Sequence, residues 1–186
     1  LIPVRGQEVV LASNNPGKLR EIQSMLANVN GQLLPQSRFS IPDIEETGAS
    51  FVENALLKAR HAAALANRPA IADDSGIEVD ALNGAPGIYS ARYAGDGATD
   101  RMNLEKLLRD AFAGGQEKPA ARFQCVLVYL RHAQDATPVI AQGTWEGYLV
   151  PEPRGENGFG YDPIFYVPEH ACTSAELPPE LKNRSS

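Results

Sequence analysis

Eight residues, Pro69-Ala70-Ile71-Ala72-Asp73-Asp74-Ser75-Gly76, limit what this chain can become more than any others do. Ala70 to Ala72 are small or apolar, as in a buried strand, and two adjacent carboxylates follow them. On an extended backbone neighbouring side chains point to opposite faces, so Asp73 and Asp74 cannot both turn one way while a strand continues. The expectation is therefore a strand that ends at the pair, with Gly76 supplying the freedom to bend. Both carboxylates would then face one pocket. Paired carboxylates in such a place suit a divalent cation or a general base. A solvated Asp-Asp-Ser-Gly turn uses the same letters, and other parts of the chain must separate the two.

Val9-Val10-Leu11-Ala12 reads as a short strand running into Ser13-Asn14-Asn15-Pro16-Gly17-Lys18. Leu19, Ile22, Met25 and Leu26 then recur at helical spacing. Strand, polar loop and helix in that order aim backbone N–H groups at an anion, and Lys18 adds a point charge. The loop is not a P-loop: Ala12 stands where its first Gly belongs and Leu19 where its metal-binding hydroxyl belongs. A capped strand-to-helix turn with a solvated lysine remains open here. Leu33 to Ile44 is expected to carry a short edge strand, and the pair Glu45-Glu46 follows it.

Ser50-Phe51-Val52-Glu53 has the form of a capping box opening a helix to about Asn67, with Val52, Leu56, Ala59 and Ala63 as its buried stripe. Asn54 and Lys58 lie four apart and can reach one place together. Ile77 to Leu82 alternates as a strand, Thr99 or Asp100 caps a helix ending before Gly114-Gly115, and Phe123 to Leu130 with Val139 to Val150 forms a hairpin. Strands of both kinds predict a mixed sheet. The loop Gly155 to Pro163 offers close backbone approach at its glycines, flat surfaces at Phe159 and Tyr161, and a carboxylate at Asp162. A plain hairpin loop would look similar.

The chain has 186 residues and a net charge of −6, so it lacks the basic footprint that a nucleic-acid backbone requires. An anionic ligand must find a local cluster of cations. Two cysteines, Cys125 and Cys172, argue for a reducing compartment rather than a disulfide framework. No apolar run approaches the roughly 18 residues of a membrane span, residues 1–7 hold no apolar leader segment, and the expected location is the cytoplasm. His61, His132 and His170 are scattered without zinc-ligand spacing. The polar loops together hold carboxylates (Glu45, Asp73, Asp74, Asp162), cations (Lys18, Lys58, Lys182, Arg184) and aromatics (Phe159, Tyr161). That set suits a Mg²⁺-triphosphate carrying a purine.

Five segments carry a resemblance: Ser-Asn-Asn-Pro-Gly-Lys (13–18), Thr-Gly-Ala-Ser-Phe-Val-Glu-Asn-Ala (47–55), Ala-Asp-Asp-Ser-Gly-Ile (72–77), Gly-Ala-Pro-Gly-Ile-Tyr-Ser-Ala-Arg-Tyr (84–93) and Gly-Phe-Gly-Tyr-Asp-Pro-Ile-Phe (158–165). In this order and spacing the chain resembles the inosine triphosphate pyrophosphatase family, and most of all its bacterial dITP/XTP pyrophosphatase branch, from about Val9 to Lys182. The resemblance implies an α/β fold: an elongated mixed β-sheet flanked by helices, one domain over residues 1–186 with two lobes, and an active site in the cleft between them. It implies Mg²⁺-dependent hydrolysis of ITP, dITP and XTP to the monophosphate and pyrophosphate, which keeps such bases out of DNA and RNA. It also implies a homodimer.

Carried over residue by residue, the resemblance makes Asp74 the base that activates water, with Glu45, Asp74 and Asp73 as metal ligands. Ser13, Asn14, Asn15, Pro16, Gly17 and Lys18 would cradle phosphates, assisted by Lys58. Ser75, Phe159, Gly160, Tyr161, Asp162 and Lys182 would shape the nucleoside pocket. Discrimination would lie at O6, an acceptor in hypoxanthine and xanthine where adenine has an amino donor. The family pattern runs on from Lys-Asn through a Ser-His-Arg element into a final helix. Here Lys182-Asn183 leads to Arg184-Ser185-Ser186, so the sequence is expected to be a piece of a longer chain. Two rivals share parts of this pattern. A purine-nucleotide sensor would keep the phosphate loop and aromatic pocket without needing Asp74. A Maf-like pyrimidine triphosphate pyrophosphatase has a related architecture but does not account for the loops at 73–76 and 158–162.

Overall fold

The computed structural model describes residues 7–26 and 31–186. Residues 1–6, part of the stretch read above as holding no leader, and residues 27–30 lie outside that description. Seven strands form one mixed sheet in the order β2-β1-β3-β4-β5-β6-β7. They are β1 (Gln7–Leu11), β2 (Gly31–Pro35), β3 (Ala70–Val79), β4 (Ala120–Leu130), β5 (Val139–Leu149), β6 (Phe165–Val167) and β7 (Cys172–Thr173). Four helices accompany them: α1 (Pro16–Met25), α2 (Phe51–Ala66), α3 (Asp100–Phe112) and α4 (Pro179–Ser185). β1 pairs in parallel with β2 and β3, while β6 pairs antiparallel with β5 and β7. The α/β class and mixed sheet expected from the sequence are present, and β2 is an edge strand as expected.

The chain divides into two compact units: residues 1–74 with 126–142, and residues 75–125 with 143–186. The core of the first packs Ala55, Ala59, Ala62, Ala63 and Ala66 of α2 against Val10, Ala12, Ala70 and Ala72. Alanine lets the helix lie close on the sheet. The buried stripe is thus rotated from the expected one: Val52 and Leu56 pack at its margin. Asp135, almost sealed from solvent, accepts bonds from the Arg131 backbone and guanidinium and from the Thr137 N–H. Arg60 of α2 donates to the carbonyls of Ala133 and Asp135 and ties this turn to the helix.

The core of the second unit gathers on Phe165, whose ring lies 4.6 Å from Phe123 and 5.5 Å from Trp145. Leu104, Leu107 and Ala111 of α3 close it. Thr99 caps α3 through the Met102 N–H.

Two sequence expectations are corrected. Asp73 to Gly76 do not end a strand: β3 runs unbroken for ten residues from Ala70 to Val79, and the expected second strand at 77–82 is its continuation with a short 3-10 turn. Met25, one of the four apolar residues read at helical spacing along α1, is 44% exposed, and Ile22 is that helix's buried residue. A ten-residue helix at a sheet edge has only a narrow face to bury.

Candidate active site

The connection from β1 to β2 moves one way along the sheet, and that from β2 to β3 moves back past β1. Right-handed crossovers therefore put α1 and α2 on opposite faces. The reversal falls between β1 and β3, and ligands of open α/β sheets bind outside the carboxyl ends of strands at such a point. There β1 gives way to Ser13–Lys18, and β3, paired to it through Val10–Ala70 and Leu11–Ile71, reaches Asp73 and Asp74.

Alternation along β3 then explains the acidic pair. Val10, Ala12, Ala70 and Ala72 face α2. Asp74 shares their parity, and its Oδ1 accepts from Lys58 Nζ of α2 at 2.7 Å. Asp73 faces the other way and pairs with Lys18 of α1 at 2.6 Å. One strand thus holds two carboxylates in place because each face supplies its own ammonium group. Asp73 and Asp74 thus take different ion-pair partners, although the Lys18 charge also reaches Asp74.

Lys58 also bonds Glu46 Oε1 at 2.8 Å, and Asn54 Nδ2 makes a long 3.5 Å contact with Asp74 Oδ2. Asn54 and Lys58 do reach one place, as their spacing implied. Glu46 is the member of the acidic pair that turns to Lys58, whereas Glu45 is exposed. Burial raises the Asp74 carboxyl above its ordinary value, Lys58 opposes that rise, and the Glu46 charge adds to it. The result is a carboxylate more basic than a solvated one, beside a cation that favours its charged form.

Asn15 caps α1, its side chain accepting from the Gly17 and Lys18 N–H groups at 2.8 and 3.2 Å. Ser13 Oγ accepts from the Asn15 N–H, and Pro16 opens the helix where no N–H is needed. Asp43 Oδ1 takes one bond from Asn14 Nδ2 at 2.9 Å and another from Gln36 Nε2 at 2.7 Å. A pocket of about 80 Å³, lined by the apolar Ala12 and Ile44 as well as by Gln36, Asp43, Glu46, Lys58 and His61, opens beside this loop.

A second cluster lies in the other unit. Buried Asp162 accepts from the Phe159 N–H at 2.9 Å, Lys182 Nζ at 2.7 Å and Ser174 Oγ at 2.8 Å. Lys182 also stands 5.1 Å from the centroid of the Phe159 ring. Tyr161 is buried and donates its hydroxyl to the Ser90 carbonyl at 2.7 Å, and burial pushes its pKa well up. The Gly160 N–H donates to Asp100 Oδ2 at 3.0 Å. Ser75, in β3, is half-buried. Sequence reasoning missed Glu46, Asp43, Ser174 and Ser90. Glu46 was visible only as one of an acidic pair and Ser90 only inside the segment 84–93, while Thr173 and Glu176 around Ser174 spell a capping box.

Among the described residues no three His, Cys, Asp or Glu side chains gather closely enough to hold a metal ion on their own. Asp74 Oδ1 and Glu46 Oε1 nevertheless converge on a single ammonium, Lys58. Two hard anionic oxygens about one cationic centre fit Mg²⁺, which takes one or two carboxylates and fills its shell with phosphate oxygens and water.

Fold and site define an α/β protein whose carboxylate–ammonium cluster and capped strand-to-helix loop sit at a switch point of the sheet. More particularly, the chain belongs to the Ham1 family, whose model matches residues 9–186. A dITP/XTP pyrophosphatase of Thioalkalivibrio sulfidiphilus is 58% identical over 96% of this chain and 91% of its own. One of Pectobacterium atrosepticum is 56% identical over 97% and 91%. The solved structure of a HAM1 protein from Coxiella burnetii superposes with a TM-score of 0.89 at 52% identity, covering 97% of this chain and 91% of that one.

Proposed function

We propose that this chain is a nucleoside-triphosphate pyrophosphatase that hydrolyses ITP, dITP and XTP to the monophosphate and pyrophosphate with Mg²⁺, keeping these bases out of DNA and RNA. The observation that carries the reading is Asp74, a buried carboxylate of raised basicity held by Lys58 at the switch point. The names of the relatives support the substrate class. Residues 1–186 are read as one catalytic domain, active as a homodimer in the cytoplasm.

In this reading Asp74 takes a proton from water as its oxygen attacks the α-phosphorus. The bond to the bridging oxygen breaks, and pyrophosphate leaves with that oxygen. A positioned base of this kind contributes about 10²–10⁴ in rate. Ser13 to Lys18 and Lys58 bind the phosphates, with Lys18 exchanging its Asp73 partner for a phosphate oxygen. Phe159, Tyr161 and Lys182 line the purine pocket, which Asp162 shapes by holding Phe159 and Lys182, with Ser75 and Gly160 beside it. Asp74, with Glu46 or Glu45 and with Asp73 alongside, would hold Mg²⁺. When bound, that ion supplies neutralisation of phosphate charge and acidification of water.

Asp74→Asn removes the base and keeps the side-chain volume. Turnover of ITP is expected to fall by about 10²-fold or more with circular dichroism unchanged. A variant with full activity would overturn the assignment of the base.

A further inference from the structure

We propose that Ser174 is a positioning residue for purine binding, acting through Asp162 on Lys182 and Phe159; this rests on the pyrophosphatase reading above. Asp162 is 2% exposed and both its oxygens are engaged, so its carboxylate is built into the protein rather than offered to a ligand. Oδ2 holds the Phe159 N–H and Lys182 Nζ, the two groups that bring an aromatic face and a cation together. Oδ1 accepts from Ser174 Oγ at 2.8 Å, and Ser174 is fully buried.

A carboxylate pivots about its Cβ–Cγ bond, so a donor on one oxygen fixes the direction of the other. Ser174 itself is fixed. It opens the 3-10 turn capped by Thr173 and Glu176, with the Thr173 N–H bonded to Glu176 Oε2 at 2.7 Å and Thr173 Oγ1 bonded to the Arg154 carbonyl. Asn157 ties the glycine loop to the same segment, its N–H on the Ala175 carbonyl and its side chain on that of Leu177. The hydroxyl therefore passes the rigidity of residues 173–177 to the loop that carries Phe159.

The test compares Ser174→Ala with the unaltered chain in ITP hydrolysis and in separate binding of IMP and inorganic pyrophosphate. Loss of one hydrogen bond to a charged group predicts roughly five- to tenfold higher KM for ITP and Kd for IMP, with kcat and the pyrophosphate Kd changed less than about twofold. Asp162→Asn, which removes the charge facing Lys182, is expected to weaken IMP in the same selective way. An unchanged IMP Kd in Ser174→Ala would overturn the inference. So would equal weakening of IMP and pyrophosphate, the mark of a general structural defect. An unaltered chain that binds IMP but releases no pyrophosphate from ITP would overturn the catalytic reading instead, and the IMP comparison would still decide the role of Ser174.

Discussion

Asp74 and Asp135 are both nearly sealed from solvent, yet acid acts on them in opposite senses. Burial dominates at Asp74 and raises its pKa above 3.8. Its ionised form then costs stability, a cost absent below the ordinary carboxylate range and fully present above the raised value. In the metal-free protein, Asp74→Asn is expected to melt above the unaltered chain at pH 7, the gain narrowing as pH falls toward 3.8. A lower melting temperature at pH 7 would mean that the Lys58 bond outweighs burial. At Asp135 the Arg131 guanidinium and backbone hold the carboxyl far below its usual range. Its stabilisation is present above the ordinary pKa and is lost as pH falls below it. Asp135→Asn is expected to melt lower at pH 7 and to converge with the unaltered chain in acid, which thermal melts across pH would check.

The glycine loop before β6 shows how much one element can depend on a single close approach. Gly158 and Gly160 both have positive φ, +78° and +60°, so alanine is strained at either. A Cβ on Gly160 meets nothing within 4 Å, whereas one on Gly158 would fall 2.0 Å from Asp162 Oδ2. Gly160→Ala is expected to cost only the left-handed strain, about 1–2 kcal/mol. Gly158→Ala must also displace a buried, ion-paired carboxylate, a loss of about 3–5 kcal/mol. Equal denaturant midpoints for the two variants would contradict this packing. The glycines, Phe159 and Asp162 mark this loop in the sequence as a place of close approach. That Asp162 faces inward was not legible, since its partners Ser174 and Lys182 lie 12 and 20 residues away. β3 teaches the same lesson. Its apolar start is plain, but nothing local says that Asp73 and Asp74 can stay in mid-strand. Lys18 and Lys58 come from helices on opposite faces, and only the crossover geometry makes each ammonium meet one carboxylate.

For the whole molecule, β1, α1, α2, α3 and the β4–β5 hairpin were legible from periodicity and caps while β7 and α4 were not, and five motifs in order pointed to the family that residues 9–186 match. The choice between Glu45 and Glu46 was not, because adjacent residues in an irregular loop carry no periodic signal. The net charge of −6 makes the local cations decisive: Lys18, Lys58 and Lys182 are each held by a carboxylate. An anionic substrate must therefore compete with an internal anion for each. Among the described residues no helix is long and apolar enough to cross a membrane.

The most direct test of the proposed activity is pyrophosphate release from ITP, XTP, GTP and ATP, each with and without Mg²⁺. The account predicts Mg²⁺-dependent release from ITP and XTP, with GTP and ATP far slower. Binding of ITP without release, or release from ATP as fast as from ITP, would contradict it.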